Sequence, residues 1–151
     1  MRIIGIGNYD RGDDAAGLLA ARGAGGREHT SDLLSLLYRW RESDDVVLID
    51  AAVTGAPPGT IHIWNGRDLP PEADRLRLSA HAFSVADAIR LAARTRHLPR
   101  SLVVIGIEAR QFEPGAPLSP EVQTAVDEVV AQLRSNSSAY NAPAGSSSCL
   151  K

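Results

Sequence analysis

The feature that most constrains this chain is a pair of uninterrupted apolar runs. They are Val46-Val47-Leu48-Ile49, ending at Asp50, and Leu102-Val103-Val104-Ile105-Gly106-Ile107. A strand with one wet face alternates apolar and polar residues; these do not, so both of their faces must be covered. Covering both faces of a sheet calls for parallel strands joined by helical crossovers. The rest of the sequence supplies the parts. Arg2–Gly7 predicts a first strand rich in isoleucine. Helices are predicted over Asp13–Arg22, over Asp32–Arg41 with Leu33, Leu36, Leu37 and Trp40 on one face, and from the cap Ser84 to about Arg94. Ser119-Pro120-Glu121 opens a last helix whose apolar side carries Val122, Val126, Val129, Val130 and Leu133. Arg27–Thr30 reads as a short strand. Thr60–Trp64 alternates as an edge strand would, and Asn65–Ala80 is polar and irregular.

Residues 1–134 are expected to form one domain and residues 135–151 a disordered Ser-rich tail, since no periodicity survives beyond Ser135. The net charge of −2 is spread in mixed sign along the chain, which argues against a nucleic-acid footprint. No apolar run approaches the roughly 20 residues of a membrane helix, and the opening residues do not resemble a signal peptide; a cytoplasmic location is the expectation. Cys149 is the only cysteine and Lys151 the only lysine. Together they exclude Cys-ligated zinc, a catalytic Cys–His pair inside the domain, a P-loop and a Schiff-base enzyme.

In open α/β sheets ligands bind beyond the carboxyl ends of the strands. Three acids and one histidine stand out by that criterion. The loop Gly5-Ile6-Gly7-Asn8-Tyr9-Asp10 departs from a dinucleotide fingerprint, because the third glycine position holds Asp10. An acid there repels a pyrophosphate. Asp13 and Asp14 follow at a helix start; complementing the helix dipole accounts for one of them, not both. Asp50 ends a buried strand, where a carboxylate is costly unless partnered. His81 precedes the helix capped by Ser84. Asp14, Asp50 and His81 would make a ligand set suited to Zn, Ni, Mn or Fe with positions left open. Glu108 and Glu113 flank the loop after the last strand and either bind a cationic group or are solvated. His62 is expected to be exposed on its edge strand, His97 to sit at a helix end, and His29 in a segment open to burial. No Gly-x-Ser-x-Gly elbow is present.

Four ordered motifs then resemble the nickel–iron hydrogenase maturation proteases. They are Gly5-Ile6-Gly7-Asn8 with Arg11-Gly12-Asp13-Asp14-Ala15-Ala16-Gly17; Val47-Leu48-Ile49-Asp50-Ala51 with Gly55-Ala56-Pro57-Pro58-Gly59-Thr60; Ser79-x-His81; and Gly106-Ile107-Glu108 with Phe112-x-x-Gly115-x-x-Leu118-Ser119-Pro120-Glu121-Val122. The resemblance implies a three-layer α/β/α sandwich of the phosphorylase/hydrolase-like type, mostly parallel with one antiparallel edge strand. It implies removal of a C-terminal extension from the hydrogenase large-subunit precursor once nickel is inserted. By motif position Asp14, Asp50 and His81 would be the metal-contacting and catalytic residues. The nickel would be presented by the substrate, and whether the isolated protein holds another divalent cation stays open. One departure is visible: Leu18–Glu28 is shorter than the family's usual helix and strand and ends in Gly23-Ala24-Gly25-Gly26. That keeps a non-catalytic relative, a binding or chaperone module for a hydrogenase subunit, as the alternative. A receiver-type signalling domain fails for want of a lysine after the last strand.

Overall fold

The two apolar runs become the two longest strands, side by side at the centre of the sheet. In the computed structural model, which describes residues 1–76, 83–135 and 148–150, they are β3 (Asp45–Ala52) and β5 (Ser101–Glu108). They pair in parallel with Leu48 opposite Val104 and Asp50 opposite Gly106. The remaining strands are β1 (Arg2–Ile6), β2 (Arg27–His29), β4 (Ile61–Asn65) and β6 (Ser148–Leu150), and the order across the sheet is β2-β1-β3-β5-β4-β6. β4 alone runs antiparallel to both neighbours; the other strands are parallel to one another.

Alternate residues of each central strand feed opposite cores, which is why the runs have no polar alternation. Ile4, Val46, Leu48 and Val104 pack on one face with Val85 and Ile89 of α2 (Val85–Arg94) and with Leu33, Leu36 and Trp40. Ile3, Val47, Ile49, Val103 and Ile105 pack on the other with Ala16 and Ala20 of α1 (Ala16–Gly23) and with Val122, Val126, Val129 and Leu133 of α3 (Pro120–Ser135). Each fully buried Val, Leu or Ile is worth about 1.5–3 kcal/mol, so the two cores dominate the stability. The result is the three-layer α/β/α sandwich expected from the sequence. The helix signals hold at both caps. Ser84 Oγ accepts from Asp87 N at 3.1 Å while an Asp87 carboxylate oxygen accepts from Ser84 N at 3.0 Å, a reciprocal box. Pro120 takes the first position of α3, where no N–H is needed.

One helix expectation is corrected. Asp32–Arg41 is not an α-helix; only Leu34–Tyr38 is helical, as a 3-10 stretch. Asp32 and Ser35 divert the first turn: Ser35 N donates to Asp32 Oδ1 at 2.9 Å and Ser35 Oγ to the Asp32 carbonyl at 2.8 Å. Such local bonds offer the backbone an alternative to the helix ladder. The apolar stripe is still used, since Leu33, Leu36 and Trp40 are buried, and Trp40 Nε1 donates to the His97 carbonyl at 2.8 Å. Beyond residue 134 the structure describes Ser135 and Ser148–Leu150. Ser135 ends α3, and Ser148–Leu150 pairs with β4, Cys149 lying opposite His62. An edge strand's unpaired N–H and C=O groups are a template for any extended segment; the tail supplies one, so β4 is not the sheet's edge.

At the other side of the sheet, Tyr9 Oη donates to Glu28, Arg22 Nε reaches the same carboxylate at 2.8 Å, and the Arg22 guanidinium lies 5.0 Å from the Tyr9 ring centre. This trio ties the loop after β1 to β2. Burial first, then the bond to Glu28 and its charge, push the Tyr9 phenol up to about 12. The proton is held more tightly in the folded state than in the unfolded one. The contribution to stability is therefore complete below the ordinary phenol range near 10 and fades as pH rises through 12. Ultraviolet titration at alkaline pH should show the Tyr9 phenol ionising near 12, and Glu28→Gln should lower that midpoint.

Candidate active site

Three glycines set the geometry where β1 gives way to α1. A Cβ on Gly5 would lie 2.1 Å from the Gly17 carbonyl, and one on Gly7 would lie 2.0 Å from the Asp14 carbonyl. A Cβ on Gly17 would meet the Ile49 carbonyl at 2.3 Å and the Ile6 carbonyl at 2.6 Å. Helix α1 therefore rests directly on the backbones of β1 and β3. The 3-10 turn Gly12–Ala15 that leads into it packs against β3, and Asn8 N donates to the Asp14 carbonyl at 3.2 Å. None of these contacts has room for a side chain. Gly17→Ala should cost about 2 kcal/mol by overpacking against backbone that cannot give way, or roughly 4–8 °C in Tm. An unchanged melting curve would show that the close approach is not required.

The two adjacent acids of that turn have different jobs. Asp13 is a clamp. Its carboxylate accepts from Arg110 N at 2.8 Å, Gln111 N at 3.1 Å, Ser119 N at 2.7 Å and Ser119 Oγ at 2.8 Å. Its own N–H donates to the Gln111 carbonyl. One buried side chain thus gathers both ends of the loop between β5 and α3. Asp14 is equally buried, at 0% exposure, but its carboxylate takes no part in that clamp. Asp50 is 1% exposed and sits one position past Ile49, the residue paired with Gly5 in β1. Its Oδ1 accepts from Ala51 N at 2.8 Å. Both candidate acids therefore lie buried at the carboxyl ends of adjacent strands β1 and β3, where α/β sheets bind ligands.

His81 lies outside the described residues. The chain before it is anchored near the carboxyl end of β3. Leu76 forms an antiparallel bridge with Ala52, two residues past Asp50, and Val53 N donates to the Arg75 carbonyl at 2.8 Å. Ser84 begins α2 on the other side. Among the described residues no set of three His, Cys, Asp or Glu side chains is placed to hold a metal ion.

Glu108 forms a second polar cluster at this end of the sheet. It is 1% exposed and accepts from Thr54 N at 2.9 Å, from Thr54 Oγ1, and from His62 Nε2 at 3.2 Å. The His62 ring stacks on Trp64 with centroids 5.1 Å apart. Glu108 pairs with Ala52 and His62 with Gly106, so the cluster shares Asp50's face of the sheet. His62 is thus not the exposed edge residue its alternation suggested; the neighbouring Glu108 and Trp64 enclose it. Glu113 is exposed. His29 is buried, its Nε2 meeting the Asp32 carbonyl at 2.8 Å, and His97 Nε2 meets the Leu37 carbonyl at 2.8 Å; both serve packing.

An α/β sandwich with buried acids at the ends of β1 and β3 defines the class: a mostly parallel sheet covered on both faces, with two carboxylates at its strand ends. The hydrogenase maturation protease family profile matches residues 25–136, and the chain belongs to that family. It is similar to the hydrogenase expression/formation protein HupM of Azotobacter chroococcum, 26% identical over 121 residues that cover 74% of this chain and 58% of that protein. It is also similar to HupD of Thiocapsa roseopersicina, 26% identical and covering 80% and 60% of the respective chains. This chain thus spans about six-tenths of the length of these curated relatives. Among solved structures it resembles the [NiFe] hydrogenase maturation protease HybD from Thermococcus kodakarensis, with TM-score 0.68, 29% identity and coverage of 87% of this chain and 95% of that one. The hydrogenase maturating endopeptidase HybD from E. coli shares the fold, with TM-score 0.69, 23% identity and coverage of 88% and 90%.

Proposed function

We propose that this protein is an endopeptidase that removes the C-terminal extension of a nickel–iron hydrogenase large-subunit precursor after nickel has been inserted. The observation that carries the proposal is the burial of Asp14 and Asp50 together, on adjacent strand ends, in a chain of this family. Their donor chemistry fits a divalent cation: carboxylate oxygens are hard ligands, and one imidazole from His81 would complete an intermediate set suited to nickel. The nickel belongs to the substrate. Asp14, Asp50 and His81 would contact it on the precursor, so that only a loaded precursor is held in place for cutting. Bound there, the cation would polarise the scissile carbonyl or lower the pKa of the attacking water. Asp14 or Asp50 would take the proton that the water gives up as it adds to the carbonyl carbon. The bridge of Leu76 to Ala52 supports the assignment of the third ligand, since it carries the chain toward His81 from a point two residues beyond Asp50.

Incubation with nickel-loaded and nickel-free precursor tests the proposal. A shortened product from the loaded precursor alone is the expected result. A stable complex without shortening would instead favour the binding-module alternative. Cleavage of both precursors at one rate would remove nickel from the recognition step.

A further inference from the structure

The short crossover between β1 and β2 leaves a cavity of about 350 Å³ at the amino end of β1, the opposite end of that strand from Asp14. Helix α1 stops at Gly23, and the chain returns to β2 through glycines laid directly on the sheet: a Cβ on Gly26 would lie 2.5 Å from the Ile3 carbonyl. Gly25 turns with φ +79° and has open space where a side chain would stand. Three arginines from three segments line the resulting cavity: Arg2 of β1, Arg27 of β2, and Arg39 after the 3-10 stretch, beside Tyr38.

The charge there is not balanced. Arg2 is paired with Asp44 at 2.7 Å. Arg27 has no carboxylate partner among the described residues, and the neighbouring Glu28 is already engaged by Arg22 and Tyr9. Arg39 donates from Nε to His29 Nδ1 at 3.2 Å. His29 Nε2 faces the Asp32 carbonyl, and the ring meets Arg39 through Nδ1. It orients Arg39 without cancelling its charge. Two arginines without a carboxylate partner among the described residues therefore line one cavity, in a chain whose formal net charge is −2.

We propose that this cavity binds the phosphate group of a small organic phosphate. Guanidinium forks match the oxyanion geometry of phosphate, and several forks around one cavity supply more donors than a single carboxylate accepts. The cavity volume exceeds that of a lone phosphate and falls in the range of small-molecule sites. The Tyr38 ring, 86% exposed beside the cavity, offers a face for the organic part.

Calorimetric titration at low salt with adenosine monophosphate, glycerol 3-phosphate, inorganic phosphate and succinate tests this. One saturable site for an organic phosphate is expected, with inorganic phosphate weaker and succinate weaker still. Arg27→Gln should weaken binding by at least ~10-fold. It removes an exposed, unpartnered side chain, so its melting curve should match the wild type. Arg39→Gln should weaken binding similarly. Saturable binding absent for every phosphate, equal binding of succinate, inorganic phosphate binding as tightly as the organic phosphates, or an Arg27→Gln affinity equal to wild type would each overturn the assignment.

Discussion

Asp50→Asn and Asp14→Asn should each lower processing of a nickel-loaded precursor by at least ~10²-fold, the loss expected when a general base or a ligand to the reacting cation is removed. Asparagine keeps the size of the side chain, so the fold should survive. It removes the negative charge that a cation or a departing proton requires. Both positions are buried, and burial makes the charge a specific investment: a carboxylate held away from water costs free energy unless a partner compensates it. Neutralising a position selected only for packing would leave activity near wild type and hold or raise stability. Neutralising one selected for charge should do the reverse to activity. Processing rates should be read beside melting curves. A variant that melts like the wild type and still processes at the full rate would remove that residue from the site.

Asp13→Ala should have the largest effect on stability, about 4 kcal/mol, or roughly 8–16 °C in Tm. The substitution leaves Arg110 N, Gln111 N, Ser119 N and Ser119 Oγ without their acceptor in one step. Orphaned buried donors cost about 1–3 kcal/mol each, and partial relaxation of the loop recovers some of that. The loop between β5 and α3 should loosen first. Amide exchange at Arg110, Gln111 and Ser119 should accelerate more than exchange in the centre of β3. Asp13→Asn, which keeps one carbonyl acceptor, should lose less. Equal melting temperatures for wild type and Asp13→Ala would mean that the clamp contributes nothing to the folded state.

The contrast between these neighbouring acids shows what local sequence carries and what it does not. Strands β3 and β5 were legible because two-sided burial removes polar alternation, a property visible within a few residues. The Ser84–Asp87 box and the Pro120 start were legible for the same reason: caps are local. Asp50 could be picked out as an acid closing an apolar run. The split between Asp13 and Asp14 could not, because the group that claims Asp13 is Ser119, 106 residues further along. The local pattern does not separate the two acids; motif likeness singled out Asp14, and the fold supplies the partners of Asp13. His62 was misplaced for a related reason. Its alternation suggested an exposed edge, but exposure depends on Glu108 and Trp64 beside it and on Ser148–Leu150 pairing outside it. The Asp32–Arg41 segment failed differently. Its apolar spacing was right and its buried residues were right, but Asp32 and Ser35 drew the backbone into tighter turns. Periodicity reports which side chains face the core, not which hydrogen-bond ladder holds them there.

In the function we propose, Asp14 and Asp50, with His81, grip the nickel that the precursor presents. The most direct test is anomalous diffraction at the nickel edge from a complex of this protein with a loaded precursor. Nickel is expected within about 2.0–2.2 Å of a carboxylate oxygen of Asp14 or Asp50, the range seen for a first-row divalent ion such as zinc bound by such a group. Nickel seated away from both carboxylates in a complex that still goes on to cleave would contradict it.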